Sequence, residues 1–350
     1  MKQNIIISEN LEMDVANAIS ECEHDRIFLL ADCNTRKFCQ PKLNALVASK
    51  NITPIYIEAS DNNKNINSLA HVWESLSQGG ATRHSLLINL GGGMVTDLGG
   101  FAAATFKRGI NFINVPTTLL AMVDASVGGK TGINFNGLKN EIGAFANAQS
   151  VVISTSFLDS LDSDNICSGY AEMLKHALIS DKRMWAEHVN FNLTSPDLVQ
   201  LQKMVADSIQ VKQRIVDEDP HEHGIRKALN LGHTIGHAFE SFAMAKGKPI
   251  LHGFAVAYGL VCELYLSARH TGFPTTQLQQ TARFIIDNYG RPYFTCDDYT
   301  QLLELMRHDK KNTAGNINFT LLSAIGDIKI NQTLDEEEIK EALDFLREGM

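Results

Sequence analysis

Residues 85–109 read SLLINLGGGMVTDLGGFAAATFKRG, and this stretch decides the fold class. The apolar run at 85–90 has the length of a buried strand, and the glycines Gly91–Gly93 follow it directly. The residues after the glycines are typical of a helix, whose first N–H groups favour a bound phosphate. A tight turn without a ligand explains the triplet about equally well, since Thr96 replaces the third glycine of the dinucleotide-binding fingerprint.

The same alternation of strand and helix extends through the first 155 residues. Strands are predicted at residues 4–8, 26–31, 54–59, 85–90, 110–115 and 151–155. After residue 160, helices are predicted at 163–180, 196–217, 226–246, 252–270, 276–288, 299–308 and 334–350, with one strand pair within 316–330 that turns near Gly326. We therefore predict an α/β N-terminal domain (1–160) with a mostly parallel, Rossmann-like sheet, followed by a mainly α-helical domain (161–350).

The composition limits the partners that the chain can have. Its net charge of −9 argues against general binding to nucleic acid or to an anionic membrane, so an anionic substrate needs a local cluster of cations. The six cysteines lack regular spacing, which predicts reduced thiols. The N-terminal apolar run is too short for a signal peptide, and no stretch reaches the roughly 18 apolar residues of a membrane span. We expect a cytoplasmic protein with no nucleic-acid or membrane partner.

A second glycine-rich segment, VPTTLLAMVDASVGGKTGIN (115–134), follows the fifth predicted strand. It places Thr117 and Thr118 at the strand end and a glycine pair before Lys130, which resembles a phosphate-binding loop without the Walker spacing. Two glycine-rich turns at the carboxyl ends of neighbouring strands predict a nucleotide-binding crevice in an open α/β sheet.

The segment NLGHTIGHAFE (230–240) places His233 and His237 one helical turn apart, on the same face. The pair could bind a metal, or it could be two histidines of the core. A zinc-protease helix would carry glutamate directly after the first histidine, and Thr234 stands there instead. The segment by itself leaves both interpretations open.

Eight segments of the chain resemble those of 3-dehydroquinate synthases, in the same order and with similar spacing. They are GGGMVTDLGGFAAATFKRG (91–109), VPTTLLAMVDASVGGKTGIN (115–134), GLKNEIGAF (137–145), SGYAEMLKHALI (168–179), VKQRIVDED (211–219), IRKALNLGHTIGHAFE (225–240), LHGFAVAYG (251–259) and HDKKN (308–312). Eight collinear motifs are far more specific than any single one. The resemblance implies a two-domain fold, with the active site in the cleft between an NAD-binding α/β domain and a helical domain.

The resemblance also implies a reaction. Members of the family are carbon–oxygen lyases of the shikimate pathway of aromatic amino acid biosynthesis. They convert a sugar phosphate, 3-deoxy-D-arabino-heptulosonate 7-phosphate, to 3-dehydroquinate and phosphate. Bound NAD+ transiently oxidises a ring hydroxyl, phosphate is eliminated, the hydride returns, the ring opens, and an intramolecular aldol step closes the carbocycle. The implied cofactors are NAD+ and a divalent metal, usually zinc, with cobalt as the alternative.

The family's metal and substrate residues map onto definite positions here. The metal ligands are Glu172, His233 and His252, so that His237 lies beside the substrate instead of binding the metal. The residues that face the substrate's carboxylate and phosphate are Lys130, Lys139, Lys175, Lys212, Arg226 and Lys310, with hydrogen bonds from Asn140, Asn230 and His237. Arg108 matches an arginine that reaches the neighbouring subunit's site, which implies a homodimer. A lone lysine is usually a solvated surface charge. The glycine-rich or apolar sequence around Lys130 and Lys175 argues against that interpretation for these two residues.

The NAD-binding residues follow from the resemblance in the same way. They are Asp32, Asn34, Asp61, Lys64, Gly92, Gly93, Asp97, Thr117, Thr118, Leu120, Asp124, Lys130, Lys139 and Phe157. Asp32 follows the second predicted strand, where an acid can accept from ribose hydroxyls. Its alternative role is a helix cap.

The chain departs from the family pattern at a few positions. Phe254 stands after His-Gly, where the family usually has a glutamate that could orient the metal-bound histidine. Ala125 and Thr96 replace a frequent serine and a frequent glycine, and neither change removes a charge. Three other functions stay open: a related cyclase such as a 2-deoxy-scyllo-inosose or valiolone-type synthase, a metal-dependent polyol dehydrogenase, and an inactive binding module, which Phe254 alone supports.

Overall fold

A computed structural model describes residues 3–136, 138–307 and 317–349. These residues form two compact units. The first comprises the described residues up to Asp162 together with Leu201–Ile209. The second comprises Ser163–Gln200 and the described residues from Gln210 onwards. No helix among the described residues is long and apolar enough to cross a membrane.

The first unit is built on a parallel sheet. Its strands are, in chain order, β1 (Asn4–Ile7), β2 (Ile27–Asp32), β3 (Thr53–Ile57), β4 (Leu86–Gly91), β5 (Asn111–Pro116), β6 (Lys130–Phe135), β7 (Leu138–Phe145) and β8 (Ser150–Ile153). Six of these described strands pair in the order β1-β8-β5-β4-β2-β3, and all the pairs are parallel. Every residue of β2 and β4 is buried, as expected of central strands with helices on both faces. The six predicted strands are thus confirmed.

The hairpin of β6 and β7 was not predicted. Its strands pair antiparallel, with Gly132 opposite Gly143. A side chain at either glycine would collide with the other strand's backbone, at 2.6 Å from the Ile142 carbonyl oxygen or 2.2 Å from the Thr131 carbonyl oxygen. The glycines that this close approach requires have low strand propensity, so they hide the hairpin from a propensity-based prediction.

The helices of the first unit are α1 (Leu11–Ser20), α2 (Cys33–Phe38), α3 (Asn44–Ser49), α4 (Ile66–Gln78) and α5 (Gly93–Thr105). Helix α5 packs on β4, β5 and β6, and it lies so close to the sheet that a Cβ at Gly99 would fall 2.0 Å from Asn89 Oδ1. The sheet order places β3 on one side of β2 and β5 on the far side of β4. The chain therefore leaves β2 and β4 in opposite directions, and their carboxyl ends form the crevice where open α/β sheets bind ligands.

The second unit is mainly helical. Its helices are α6 (Ser163–Leu178), α7 (Lys182–Val189), α8 (Leu198–Glu218), α9 (His233–Ala245), α10 (His252–His270), α11 (Thr275–Tyr289), α12 (Tyr299–Arg307) and α13 (Glu336–Glu348). Part of α8, Leu201–Ile209, belongs to the first unit. Helix α10 is central, because it packs against α6, α9, α11 and α13. The predicted strand pair is confirmed as β9 (Asn318–Ala324) and β10 (Asp327–Thr333), which turn at Gly326.

One predicted helix is wrong, and one observed helix was missed. The single helix predicted at 226–246 is wrong, because Ile225–Asn230 forms a 3-10 turn and α9 begins only at His233. Gly232 between them has φ +79°, a left-handed conformation that ends a helix and that glycine adopts without strain. Helix α7 was not predicted.

Candidate active site

Three side chains identified as metal ligands by resemblance meet in the second unit. Glu172 lies within α6, and His233 and His252 are the first residues of α9 and α10. Each offers a ligand atom, and these atoms all lie within 4.8 Å of one another. Because the ligands come from three separate helices, the site exists only when those helices are packed together.

The carboxylate of Glu172 is the centre of this cluster. The residue is completely buried, and its Oε1 lies 3.3 Å from His233 Nε2 and 3.4 Å from His252 Nε2. Among the described residues, that oxygen accepts no hydrogen bond. The other oxygen, Oε2, accepts from the Lys175 ammonium. A buried carboxylate oxygen that faces two imidazole nitrogens is a donor set suited to Zn2+ or another first-row dication.

The electrostatics of the cluster favour the charged forms of Glu172 and His252. Burial by itself would raise the pKa of Glu172, but Lys175 and His233 bring it well below its usual value. Burial opposes protonation of His252, but its contacts with Glu172 and Glu240 raise the pKa of this imidazole to about 10. Because a metal binds the neutral imidazole, metal binding at His252 would have to displace its proton.

Each imidazole is held through its Nδ1, so that Nε2 faces Glu172. His233 Nδ1 lies 3.1 Å from the Leu231 carbonyl oxygen, and His252 Nδ1 lies 3.2 Å from Glu240 Oε2. Such contacts fix the tautomer and the ring orientation of metal-ligating histidines. Glu240 thus holds the His252 ring. The sequence had suggested this role for the glutamate that the family usually has where Phe254 stands. Phe254 instead packs edge-on against Tyr289, with ring centroids 5.1 Å apart.

No role was predicted for Glu240, although its spacing in the sequence carried a signal. His233, His237 and Glu240 are spaced i, i+4 and i+7, so all three lie on one face of α9. A buried acid on the same face as a ligating histidine is a typical orienting partner.

Helices α6 and α10 touch where they carry their ligands. The N–H of Gly253, next to His252, donates to Ser168 Oγ over 3.0 Å. A Cβ at Gly253 would lie 1.9 Å from the Ser168 carbonyl oxygen. Ser168 and Glu172 are one turn apart on α6. This backbone contact therefore sets the distance between Glu172 and His252.

Several predicted substrate residues also belong to the second unit. The His237 ring centroid lies 5.3 Å from that of His233 and 6.0 Å from that of His252, beside the cluster. The buried cations are Lys175, Lys212 and Arg226, which are 1%, 6% and 2% exposed. Asn230 Nδ2 donates to Glu222 Oε1 over 2.8 Å. Lys310 lies outside the described residues.

In the first unit, predicted NAD-binding residues follow three neighbouring strands. Asp32 ends β2, Gly92 follows β4, and Thr117 follows β5. Their strand ends are in register, because Ala31 pairs with Leu90 and Gly91 with Pro116. Gly92 is the N-cap of α5 and has no side chain to cap the first turn, so the N–H groups of that turn can meet an anion.

Asp32 caps a helix, which was the alternative role considered for it. Its Oδ1 accepts from the N–H groups of Asn34 and Thr35, both at 2.8 Å, and the residue is 8% exposed. The cap holds the carboxylate at the carboxyl end of β2. An additional contact with a ribose stays a prediction.

The remaining predicted residues of this unit divide by exposure. The exposed ones are Asn34, Asp61, Arg108, Lys130, Lys139 and Asn140. The partly buried ones are Gly92, Gly93, Asp97, Thr118, Leu120 and Asp124, and the buried ones are Lys64, Thr117 and Phe157. Lys175 is thus the buried lysine that its surroundings suggested, whereas Lys130 is an exposed one.

Lys64 contacts one residue predicted to bind NAD, Asp97, and one predicted to bind the substrate, Asn140. Its ammonium donates to Asp97 Oδ2 and to Asn140 Oδ1, both at 2.5 Å, and Lys64 is 4% exposed. Asp97 and Asn140 also line a cavity of about 240 Å³ together with Lys130 and the glycines of the hairpin. A cation and an anion at one cavity wall can hold a polar, charged ligand.

We expect Lys64→Met to lower the free energy of unfolding by about 2 kcal/mol, because the partly buried Asp97 carboxylate loses its buried charged partner. Urea denaturation measures the change. Lys139→Met is the matched control, since Lys139 lies 3.4 Å from Asp61 with both side chains more than 40% exposed. Its cost should stay below about 0.5 kcal/mol. Equal losses in the two variants would contradict a stabilising role for the buried cluster.

Comparisons with known proteins give the family. Residues 54–168 match the family described as 3-dehydroquinate synthase N-terminal, and residues 169–312 match 3-dehydroquinate synthase C-terminal. The chain is 53% identical over 348 residues to a 3-dehydroquinate synthase of Parabacteroides distasonis, with 99% of each chain covered.

Solved structures show the same fold. A 2-deoxy-scyllo-inosose synthase complexed with carbaglucose-6-phosphate, NAD+ and Co2+ superposes with a TM-score of 0.86 at 23% identity, over 99% of this chain and 97% of that one. A 2-epi-5-epi-valiolone synthase from Streptomyces hygroscopicus, with NAD+ and Zn2+ bound, gives a TM-score of 0.85 at 24% identity over the same shares. The likeness to these two cyclases concerns the fold, whereas the two family matches and the full-length relative decide the membership. The chain belongs to the 3-dehydroquinate synthase family.

Proposed function

We propose that this protein is a 3-dehydroquinate synthase, which converts 3-deoxy-D-arabino-heptulosonate 7-phosphate to 3-dehydroquinate and phosphate. The observation that carries the proposal is the cluster of Glu172, His233 and His252 with the buried Lys175 beside it, in a chain 53% identical to a named synthase over its full length. The proposal assigns residues 1–160 to NAD binding and residues 161–350 to the metal and the substrate.

Glu172, His233 and His252 would hold a divalent metal, with zinc preferred and cobalt as the alternative. Bound there, the dication would act as a Lewis acid on a substrate oxygen. The chain's own contribution is to present one buried carboxylate oxygen and two Nε2 atoms toward one point. Glu240 and the Leu231 carbonyl hold the two imidazoles in the tautomer that leaves Nε2 open.

The crevice at the carboxyl ends of β2, β4 and β5 would bind NAD+. The cofactor would supply a hydride acceptor and return the hydride within one turnover. Gly92 and Gly93 would let the backbone approach the pyrophosphate, and α5 would present its first N–H groups. A Cβ at Gly92 would lie 3.1 Å from Thr118 Cγ2, so any other residue at this position would crowd the Thr118 side chain.

The buried cations of the second unit would bind the substrate's carboxylate and phosphate. Lys175, Lys212 and Arg226 keep their charge away from water, where an ion pair with an anionic substrate is strong. Asn230 and His237 would add hydrogen bonds. Because Lys175 already donates to Glu172, it would link the metal ligand to the substrate.

The proposal includes a cytoplasmic location and a homodimer. Arg108 supports the dimer, since it is exposed and matches an arginine that serves the neighbouring subunit in the family. Light scattering of the purified protein measures the oligomeric state.

Two other activities are tested by the same assay. A related cyclase would share the metal cluster and the crevice but would not need to hold a substrate carboxylate. A polyol dehydrogenase would release NADH. The buried pair Lys212 and Arg226 favours a substrate with two anionic groups, and hence the synthase.

Phosphate release from 3-deoxy-D-arabino-heptulosonate 7-phosphate tests the proposal directly. The purified protein is assayed with zinc and with NAD+ well below the substrate concentration. We expect many turnovers per NAD+, complete loss with EDTA, and recovery when zinc is restored. Phosphate release from hexose or heptulose phosphates alone would identify a related cyclase. Stoichiometric NADH from a simple polyol would identify a dehydrogenase.

A further inference from the structure

Helix α10 contains a buried acid that the family resemblance does not assign. Glu263 lies in the segment AVAYGLVCELYL (255–266), in which it is the charged residue among apolar and small ones. It is 0% exposed. Burying a carboxylate is costly unless hydrogen bonds replace its water, so the partners of Glu263 show what it does.

Those partners are backbone N–H groups at the start of α9. Glu263 Oε2 accepts from Gly232 over 2.6 Å. Glu263 Oε1 accepts from Thr234 over 3.1 Å and from Ile235 over 3.2 Å. Gly232 is the N-cap of α9, and the other two are its second and third residues. Glu263 therefore caps α9 from a neighbouring helix, a role that the N-cap side chain usually has.

The cap cannot come from α9 itself, because α9 and α10 are in backbone contact there. A Cβ at Gly259 on α10 would lie 1.9 Å from the Gly232 carbonyl oxygen, and a Cβ at Gly232 would lie 2.8 Å from Leu260. Gly232 also has φ +79°, which disfavours any other residue. With glycine required at the N-cap, the orphan N–H groups depend on a side chain from α10.

The residue enclosed by these bonds is His233, the first residue of α9. We propose that Glu263 is a positioning residue that fixes the first turn of α9 and thereby holds His233 Nε2 toward Glu172. The proposal rests on the metal site of the proposed function. The carboxylate has a second effect, since the positive end of the α9 dipole adjoins the site and opposes a dication there. The negative charge of Glu263 at that helix end offsets this opposition.

Glu263→Gln tests the proposal with little change in shape. Three N–H donors converge on two carboxylate oxygens, and glutamine replaces one oxygen by an NH2 group that cannot accept. At least one backbone N–H would then face a donor, and the first turn of α9 must shift. We expect the zinc affinity of metal-stripped protein, measured by chelator competition, to fall at least about tenfold. The visible absorption of the Co2+-substituted protein should change as well, because the His233 ligand moves.

Thr281→Val is the matched control, since it also removes a buried hydrogen bond. Thr281 Oγ1 accepts from Trp185 Nε1 over 2.9 Å, on α11. We expect this variant to unfold more easily while its zinc affinity and Co2+ spectrum stay those of the wild type. If it loses affinity as much as Glu263→Gln does, the effect is general destabilisation and the proposal is overturned.

Glu263→Asp serves as a second variant in case the glutamine variant does not fold. It keeps the charge and withdraws the oxygens by one methylene, so its zinc affinity should lie below that of the wild type. Wild-type affinity in a folded glutamine or aspartate variant overturns the positioning role. The wild-type protein is titrated first, because a failure to bind zinc there would refute the metal site of the proposed function itself.

Discussion

Glu172→Gln should abolish zinc binding and, with it, phosphate release. The substitution removes the carboxylate whose Oε1 faces both imidazoles at 3.3 and 3.4 Å. A neutral amide is a far weaker ligand for a dication. We expect turnover to fall at least about a thousandfold, because Lewis-acid catalysis is worth several kcal/mol and each 1.4 kcal/mol is about tenfold in rate. Zinc content after dialysis and the steady-state rate measure the two losses.

The same variant leaves the Lys175 ammonium buried without its carboxylate, which costs about 3–5 kcal/mol of stability. The double variant E172Q/K175M separates this effect from the loss of metal. It should regain most of the stability and none of the zinc binding. Glu341→Gln is the surface control, since Glu341 lies 3.6 Å from Arg269 and is half exposed. Stoichiometric zinc in folded Glu172→Gln would refute the ligand assignment.

Gly253→Ala should have the second largest effect. Its Cβ would lie 1.9 Å from the Ser168 carbonyl oxygen and 2.4 Å from the Ser168 Cα, and neither backbone atom can yield unless α6 and α10 move apart. Overpacking in a core costs about 1–3 kcal/mol, and a clash between backbones reaches the upper end or beyond. The same movement draws His252 away from Glu172. We expect a loss of about 3 kcal/mol in urea denaturation and a zinc affinity at least about tenfold lower.

Gly272→Ala controls for the general cost of adding a methyl group at a glycine. Gly272 has φ +83° and nothing within 4 Å of the added Cβ. Backbone strain alone should then cost about 1–2 kcal/mol, with the zinc affinity unchanged. A Gly253→Ala protein with wild-type zinc affinity would show that the contact of α6 with α10 does not set the ligand geometry.

The sequence predicted the parallel sheet because its strands are short, apolar and bounded by turn residues. It could not predict the β6–β7 hairpin, whose strands KTGINF and LKNEIGAF contain several polar residues and, in each strand, one glycine that their close contact requires. Nor could it place the start of α9, because the break at Gly232 depends on the backbone of α10. Local sequence carries no record of such a tertiary contact.

The candidate site was predictable in part. Glu172, His233 and His252 lie far apart in the sequence, and the family resemblance brought them together, whereas helical spacing by itself would have paired His233 with His237. The structure brings the first three together and places His237 beside them. The helical spacing of His233 and Glu240 could have predicted that Glu240 lies beside the metal ligands. The capping role of Glu263 was not, since it follows from hydrogen bonds to another helix. The roles of the substrate-binding and NAD-binding residues stay predictions.

The pairing of β1 with β8 affects the order in which the sheet can form during synthesis. Strand β1 pairs with β8, so that Asn4 meets Ser150, 146 residues later (150 minus 4). At roughly 5–20 residues per second, the ribosome takes on the order of ten seconds to make that partner. Strands β2 to β5 can pair among themselves during this interval, whereas β1 has no neighbour to join. Strand β1 therefore leaves the ribosome before the other strands of its sheet and joins that sheet only once β8 has been made.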